Sequence, residues 1–329
     1  MKSDRYITYI NQILITLVLY KRKLTEVPAF QSLQLIASKN SFPLDLAVYD
    51  NSPEAMNKQE IDKYRSIHIK EHILPSPKFP LSTEGIKVGY YKTANHNKSG
   101  INIIYIHDAS NPGLSKAYNE GYKLARKSGK KWLLLLDQDT HFTEDLFFEY
   151  GRAIHDQPDT HLFAPVLIDH NKIISPYRYF LRRGFIIHHP ESGIHSLKKY
   201  SLINSAMLIS IVSFEKIGGF NEKIRLDFVD LDFLARFKKY YPDFYLLNYQ
   251  CQHHFSSISN KNKQELVLRY KYYCNSAHLF SNTFWTYFFV MFWVIIRGFR
   301  LFFRYKNIVF FKIFVQYYLL KKEPGEEHN

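Results

Sequence analysis

Cysteine is scarce: Cys251 and Cys274 are the two in 329 residues, and neither sits in a CxxC pair or a cluster with metal-ligand spacing. A disulfide framework is therefore not expected, and a reducing, cytosolic setting is. A leader pattern is also missing. The apolar run Ile13–Leu19 is interrupted by Thr16 and has no small-residue cleavage site after it, so it reads as a first strand and not as a signal peptide. Acidic residues are in short supply, 30 against 44 Lys and Arg, and the formal charge of +14 favours an anionic partner. Nucleic acid, small-molecule phosphates and an acidic membrane face all fit that charge. A DNA- or RNA-binding signature is absent, and the basic residues gather with apolar ones near the C-terminus, whereas a nucleic-acid footprint would be a solvated stripe. No nucleic-acid partner is expected. Disorder is excluded by 46% hydrophobic and 22% charged residues, and the length suffices for a sizeable core.

What is present alternates between strand and helix. "ILITLVLY" (Ile13–Tyr20) and "LDLAVYDNS" (Leu44–Ser52) read as strands around a helix at Phe30–Ala37, which means a parallel sheet. From Pro53 to Gly100 the chain is rich in Pro, Lys, Asn and Ser, and reads as an irregular insertion. "INIIYIH" (Ile101–His107) restores strand character. The next helix has Ser115 as its expected N-cap and Gly129 just past its end, and Thr143 is the expected cap of the helix after that.

Between those helices lies "WLLLLDQDT". Four leucines in a row mark a buried strand, and they run straight into Asp137 and Asp139. In an open parallel sheet, ligands bind outside the carboxyl ends of the strands, so a buried strand acts as a rail that delivers its last residues to a site. Two carboxylates at i, i+2 can converge on one divalent cation shared with substrate phosphates. A D-x-D triplet alone is often a solvated turn. Here a second acidic cluster, "LDFVDLDF" (Leu226–Phe233), accompanies it downstream.

With these motifs in order, the chain resembles the family 2 glycosyltransferases of the GT-A fold, and more narrowly their bacterial rhamnosyltransferase-like branch. The resemblance covers about residues 13–259. It rests on Tyr20 closing the first strand, "YDNS" after the second, Asn111, Gly113, Ala117 and Asn119 leading into a helix, the D-x-D strand, "NSA…IGGFNE", the D-x-V-D-x-D motif and the histidines of "CQHHFSS". Two positions depart from the pattern: Ala206 stands where glycine is common, and Asn221 where aspartate is.

The resemblance implies an α/β fold with a mostly parallel, Rossmann-like sheet, a transferase domain over residues 1–260, and an inverting, Mg²⁺- or Mn²⁺-dependent transfer of one sugar from a nucleotide-sugar donor. It implies Asp230 as the general base. Tyr20, Asp50, Asn111, Asn119, Asp137 and Asp139 would hold the nucleotide sugar. Asp137, Asp139 and His254 would hold the metal, and Asn204, Asp232 and His253 would lie toward the acceptor. dTDP-rhamnose is one candidate donor; the acceptor would be a lipid-linked glycan or a growing surface polysaccharide such as lipopolysaccharide.

Residues 261–329 form a second region of different composition. "FWTYFFVMFWVIIRGFRLFFRYKNIVFFKIFVQYYLLKK" interleaves aromatics with Arg297, Arg300, Arg304, Lys306 and Lys312. Its apolar core, Phe284–Ile296, falls short of the ~20 residues of a spanning helix. The pattern fits helices lying in the interface of an anionic leaflet, with a span beginning near Ala277 as the alternative. A peripheral enzyme at the cytoplasmic face of the plasma membrane is the expectation. Two rival readings are weaker: a nucleic-acid-binding protein, and a phosphohydrolase of the D-x-D-x-[TV] type, whose hydroxyl position is occupied here by His141.

Overall fold

The computed structural model describes residues 4–40, 42–56, 86–92, 100–253, 263–281 and 283–324. The chain begins α1 (Asp4–Ile10), β1 (Ile13–Leu19), α2 (Pro28–Lys39), β2 (Leu44–Asp50), β3 (Ile86–Lys92), β4 (Ile101–Asp108), α3 (Leu114–Lys127), β5 (Trp132–Asp137) and β6 (Thr140–His141). It continues α4 (Asp145–Asp156), β7 (Leu162–Asp169), β8 (Lys172–Ser175), β9 (Tyr177–Phe180), β10 (Arg183–Phe185), β11 (Gly193–Ser196), β12 (Tyr200–Ser201), β13 (Leu208–Ser210), α5 (Ile211–Lys216), α6 (Val229–Phe237) and β14 (Asp243–His253). The C-terminal region adds α7 (Lys263–Phe280), α8 (Phe284–Tyr305), α9 (Val309–Ile313) and a π-helical turn, Phe314–Leu319.

The main sheet runs β11-β14-β7-β13-β5-β1-β2-β4-β3. β5, β1, β2 and β4 are mutually parallel, β14 is parallel to β7, and the antiparallel β13 joins the two halves. The carboxyl ends of all six parallel-sense strands therefore share one edge. Both faces of the central strands are covered, which is why they read as continuous apolar runs. Leu14, Val18, Leu133 and Leu135 pack on one side with α3, α5 and α6; Ile13, Ile15, Leu17, Leu134 and Leu136 pack on the other with α2 and α4. Helix α3 crosses β1 at Gly121, where an added Cβ would lie 2.0 Å from Thr16 Oγ1, so glycine is required for the approach.

The expected strands and helices are found, with corrections. The stretch expected as an irregular insertion contains β3, which pairs antiparallel with β4 over seven residues; the greater part of the insertion lies outside the described residues. Ser115 does not cap α3. Gly113 occupies that position, with a φ of 98° and an added Cβ only 2.2 Å from the Arg225 carbonyl oxygen, while the Ser115 hydroxyl donates to Ile224 O at 2.5 Å. Thr143 precedes the cap of α4, and its hydroxyl instead donates to Asp145 and meets Tyr249. No disulfide forms, and Cys251 and Cys274 are buried thiols.

The C-terminal helices share the core of the α3 face. Tyr270, Cys274, Ala277, Val290, Val294, Phe310, Ile313, Tyr317 and Tyr318 belong to the same buried cluster as Leu14 and Leu133. Helix α8 is long and apolar enough to cross a membrane by length and composition; it begins at Phe284, because α7 ends at Phe280 and Thr283 caps a new helix, so Ala277 is not the start of a span.

Candidate active site

Polar residues gather at the shared edge, past the ends of β1, β2, β4 and β5. The Tyr20 N–H, just past β1, donates to Gln138 Oε1 at 2.9 Å, so the aromatic and the D-x-D segment are tied together. Tyr20, Lys21, Asn51, Asn111, Gly113, Arg225, Arg269 and Tyr272 are among the residues lining a cavity of about 390 Å³. Tyr20 and Asn111 are thus brought together as expected. Lys21, Arg225 and Arg269 add positive charge that sequence reasoning missed. Arg225 and Arg269 come from a loop and from the C-terminal region, with no motif to mark them.

Asp50 is 2% exposed, and both its oxygens are engaged inside the protein: the Ser52 N–H donates to one at 2.9 Å and the Tyr105 hydroxyl to the other at 2.6 Å. It shapes the turn that carries Asn51 to the cavity. A second aspartate, Asp108 at the end of β4, was not foreseen. It accepts from the Tyr49 hydroxyl at 2.8 Å and from Ser110, and burial with the Asp108 bond pushes the Tyr49 hydroxyl far above its ordinary range.

Asp137 closes β5. The Tyr118 hydroxyl donates to its carboxylate at 2.8 Å, and its N–H donates to Ser205 Oγ at 3.0 Å. Ser205 continues to Thr140, 2.5 Å away, and Thr140 to His253 Nδ1 at 2.9 Å. The buried His253 therefore braces the strand tip. His254 lies outside the described residues. Asp139 accepts from Arg22 at 2.9 Å. Among the described residues no group of three or more His, Cys, Asp and Glu side chains could hold a metal. Asp137 and Asp139 supply two carboxylates, which suits Mg²⁺ or Mn²⁺ when phosphate oxygens complete the shell.

Asp230 is the second residue of α6 and takes the Leu231 N–H at 2.8 Å. Burial, reinforced by the charges of Asp227 and Asp137, pushes its carboxyl up to about 7, the poise of a general base at neutral pH. Phe228, at the helix cap, has a φ of 69°, a strained conformation for an aromatic residue. Rings of Tyr273 and Phe280 at 5.2 and 5.5 Å hold it there. Tyr177 and Tyr179 of β9 lie close enough to Asp230 to feel its charge, and were also missed.

Two expected ligand residues, Asn119 and Asp232, are occupied with structural tasks. Asn119 donates to Phe220 O and Glu222, and accepts from the Phe220 N–H at 2.8 Å. Asp232 accepts twice from Arg236, whose guanidinium also donates to Ile217 O and Gly219 O. Both side chains clamp the Gly218–Gly219 turn. Asn204 is buried beside Ser205, and its Oδ1 has no hydrogen-bond partner. Ala206, in the glycine position, adopts a φ of 60°, which explains why glycine suits it.

No family model matches the chain. Over 135 residues it is 26% identical to the dTDP-rhamnosyl transferase RfbF of Shigella flexneri; the match covers 40% of this chain and spans 44% of that protein. Among solved structures, S. aureus TarS 1–349 in complex with UDP-GlcNAc superposes with a TM-score of 0.51 at 12% identity, covering 92% of this chain and 78% of that one. The complex of TarS 1–349 with UDP gives 0.50 at 11% identity, covering 96% and 98%. The chain has the GT-A fold, with a curled, mostly parallel sheet flanked by helices. The likeness to TarS is one of fold, and the likeness in sequence to the Shigella flexneri rhamnosyl transferase covers less than half of either chain.

Proposed function

We propose that the protein transfers one sugar, with inversion, from a nucleotide-sugar donor to a hydroxyl of a lipid-linked or polysaccharide acceptor in cell-surface glycan synthesis. The observation that carries this reading is Asp230, a carboxyl poised near neutrality and in charge contact with Asp137 at the strand tip. Tyr20, Asn51 and Asn111, which line the cavity, would hold the nucleoside, and Lys21, Arg225 and Arg269 would offset phosphate charge. Asp230 would take the proton of the acceptor hydroxyl as its oxygen attacks the anomeric carbon, and the nucleoside diphosphate leaves with the bonding electrons. Asp137 and Asp139 would hold Mg²⁺ or Mn²⁺ with the donor diphosphate, which supplies charge stabilisation to the leaving group. Arg22 would give up Asp139 as the donor enters. The rhamnosyl activity in the name of RfbF makes dTDP-rhamnose the first donor to try, and the nucleotides bound to TarS make uridine sugars the second.

A thermal-shift screen with UDP-, GDP- and dTDP-sugars, with and without Mn²⁺ or Mg²⁺, tests this. A donor at 100 times its dissociation constant stabilises by about 2.7 kcal/mol. Asp139→Ala is expected to abolish the metal-dependent part of the shift. A protein indifferent to every nucleotide sugar would sink the proposal.

A further inference from the structure

We propose that the β9–β10 hairpin and the outer face of α8 form a single surface that docks into the interface of an anionic bilayer without crossing it, and so holds Asp230 at a set height above the lipid. The docking rests on geometry alone. Its use, presenting a lipid-linked acceptor, rests on the transferase reading above.

Helix α8 is long and apolar, yet only 22% of its most apolar stretch is buried within the protein. The uncovered residues Phe284, Trp285, Phe288, Phe292, Phe299 and Phe303 fall in one stripe about 100° wide at the helical period. The hairpin extends that stripe. Phe180 is 61% exposed and Ile186 58%, with Leu181 and Phe185 between them also exposed. Its turn residues Leu181 and Arg182 have φ of 46° and 63°, where Asn and Gly are the favoured occupants, so a leucine stands in water at a strained tip with no packing return.

The two elements are joined. The Trp293 indole N–H donates to Leu181 O at 3.2 Å, Arg182 donates to the Thr286 hydroxyl at 2.5 Å, and the Arg183 guanidinium lies 4.7 Å from the Trp293 ring. Exposed Arg183, Arg300, Arg304, Lys306 and Lys312 supply the positive charge that anionic headgroups attract.

The same packing argues against a span. Helix α8 is held broadside to the body: Val290 and Val294 are buried, the Tyr270 hydroxyl donates to Val294 O at 3.0 Å, and a Cβ on Gly298 would meet that hydroxyl at 2.6 Å. Arg297, expected among the lipid-facing cations, turns inward instead, 3.8 Å from the Tyr273 ring and 3.9 Å from Asp227. Threading α8 through a bilayer would drag α7, with Glu265, Arg269 and Lys271, into hydrocarbon. Strand alternation then links surface to site. Phe180 faces outward at the tip, while Tyr177 and Tyr179, on the opposite face of β9, stand by Asp230.

The test uses the full chain with vesicles of phosphatidylcholine, with and without phosphatidylglycerol. Because Cys251 and Cys274 are buried, Leu181→Cys can carry a polarity-sensitive fluorophore as the single accessible thiol. Its emission is expected to shift to the blue on anionic vesicles and not on neutral ones. Phe180→Ser combined with Ile186→Ser should weaken vesicle partitioning by at least about tenfold while nucleotide-sugar thermal shifts stay unchanged. Carbonate should release the wild-type protein from membranes. The proposal is overturned if the double variant partitions like wild type, if the fluorophore stays in water, if only detergent releases the protein, or if the face proves to be a dimer contact that binds no vesicles. Absence of any nucleotide-sugar shift in the wild type would remove the transferase reading and leave the docking result standing.

Discussion

At the residue scale the case turns on Asp230. Its pKa of about 7 predicts a rate that rises on the acid side with a midpoint near 7, since the proton must be off before it can accept another. The same shift has a stability consequence of definite sign. The folded state holds the proton more tightly than the unfolded state does, so stability is whole at low pH, declines as pH rises from about 4 to about 7, and levels off above. Asp230→Asn removes that penalty together with the proposed base. Turnover should fall by a factor on the order of 10² to 10⁴. The variant's melting temperature should exceed the wild type's by a margin that widens between pH 4 and 7; a margin independent of pH would show that the carboxyl is not perturbed. Ala206 makes a second case. Its left-handed conformation costs an alanine more than a glycine, so Ala206→Gly should stabilise by up to about 1 kcal/mol in urea unfolding, and a loss of stability would contradict the strain.

At the element scale, the Gly218–Gly219 turn is clamped from two sides, by Asn119 on α3 and by the Asp232–Arg236 pair on α6. This sets α6, and with it Asp230, against the end of α3. Asn119→Ala removes three hydrogen bonds and should cost about 1–3 kcal/mol. Donor affinity, measured by titration calorimetry, should change by no more than about threefold. A selective loss of donor binding with unaltered stability would return Asn119 to the nucleotide site that its motif suggested. That motif was legible, but its use was not: an N-x-G…A-x-N spacing locates a helix start, and only the fold shows that the second asparagine faces Phe220 and Glu222.

At the scale of the molecule, the C-terminal helices and the α/β sheet body share one core. Truncation after Thr283 would expose Tyr270, Cys274 and Ala277, which the removed helices help to cover. The expected result is an insoluble or markedly less stable protein and not a clean soluble domain; a truncated chain that melts like the full one would show that the tail is separable. Arg300→Gln with Arg304→Gln leaves that core untouched. It should weaken binding to anionic vesicles, most visibly at low salt, where exposed charges are least screened.

The sequence by itself determined the alternating strands and helices, the two-sided burial of "ILITLVL" and "WLLLLD", and the placing of Asp137 and Asp139 at the end of a buried strand. Those features are local: a period, a run of leucines. Tertiary structure alone decided which polar residues remain available. Asp50, Asn119, Asp232 and His253 are engaged by partners between 55 and 113 residues away or by a neighbouring turn, and no local pattern encodes such pairings. It also bears on the proposed role of the tail. Composition favours an interfacial helix with a span as the alternative, and the choice proposed between them lies in what covers each face of α8, a property of contacts between distant segments and not of the helix itself.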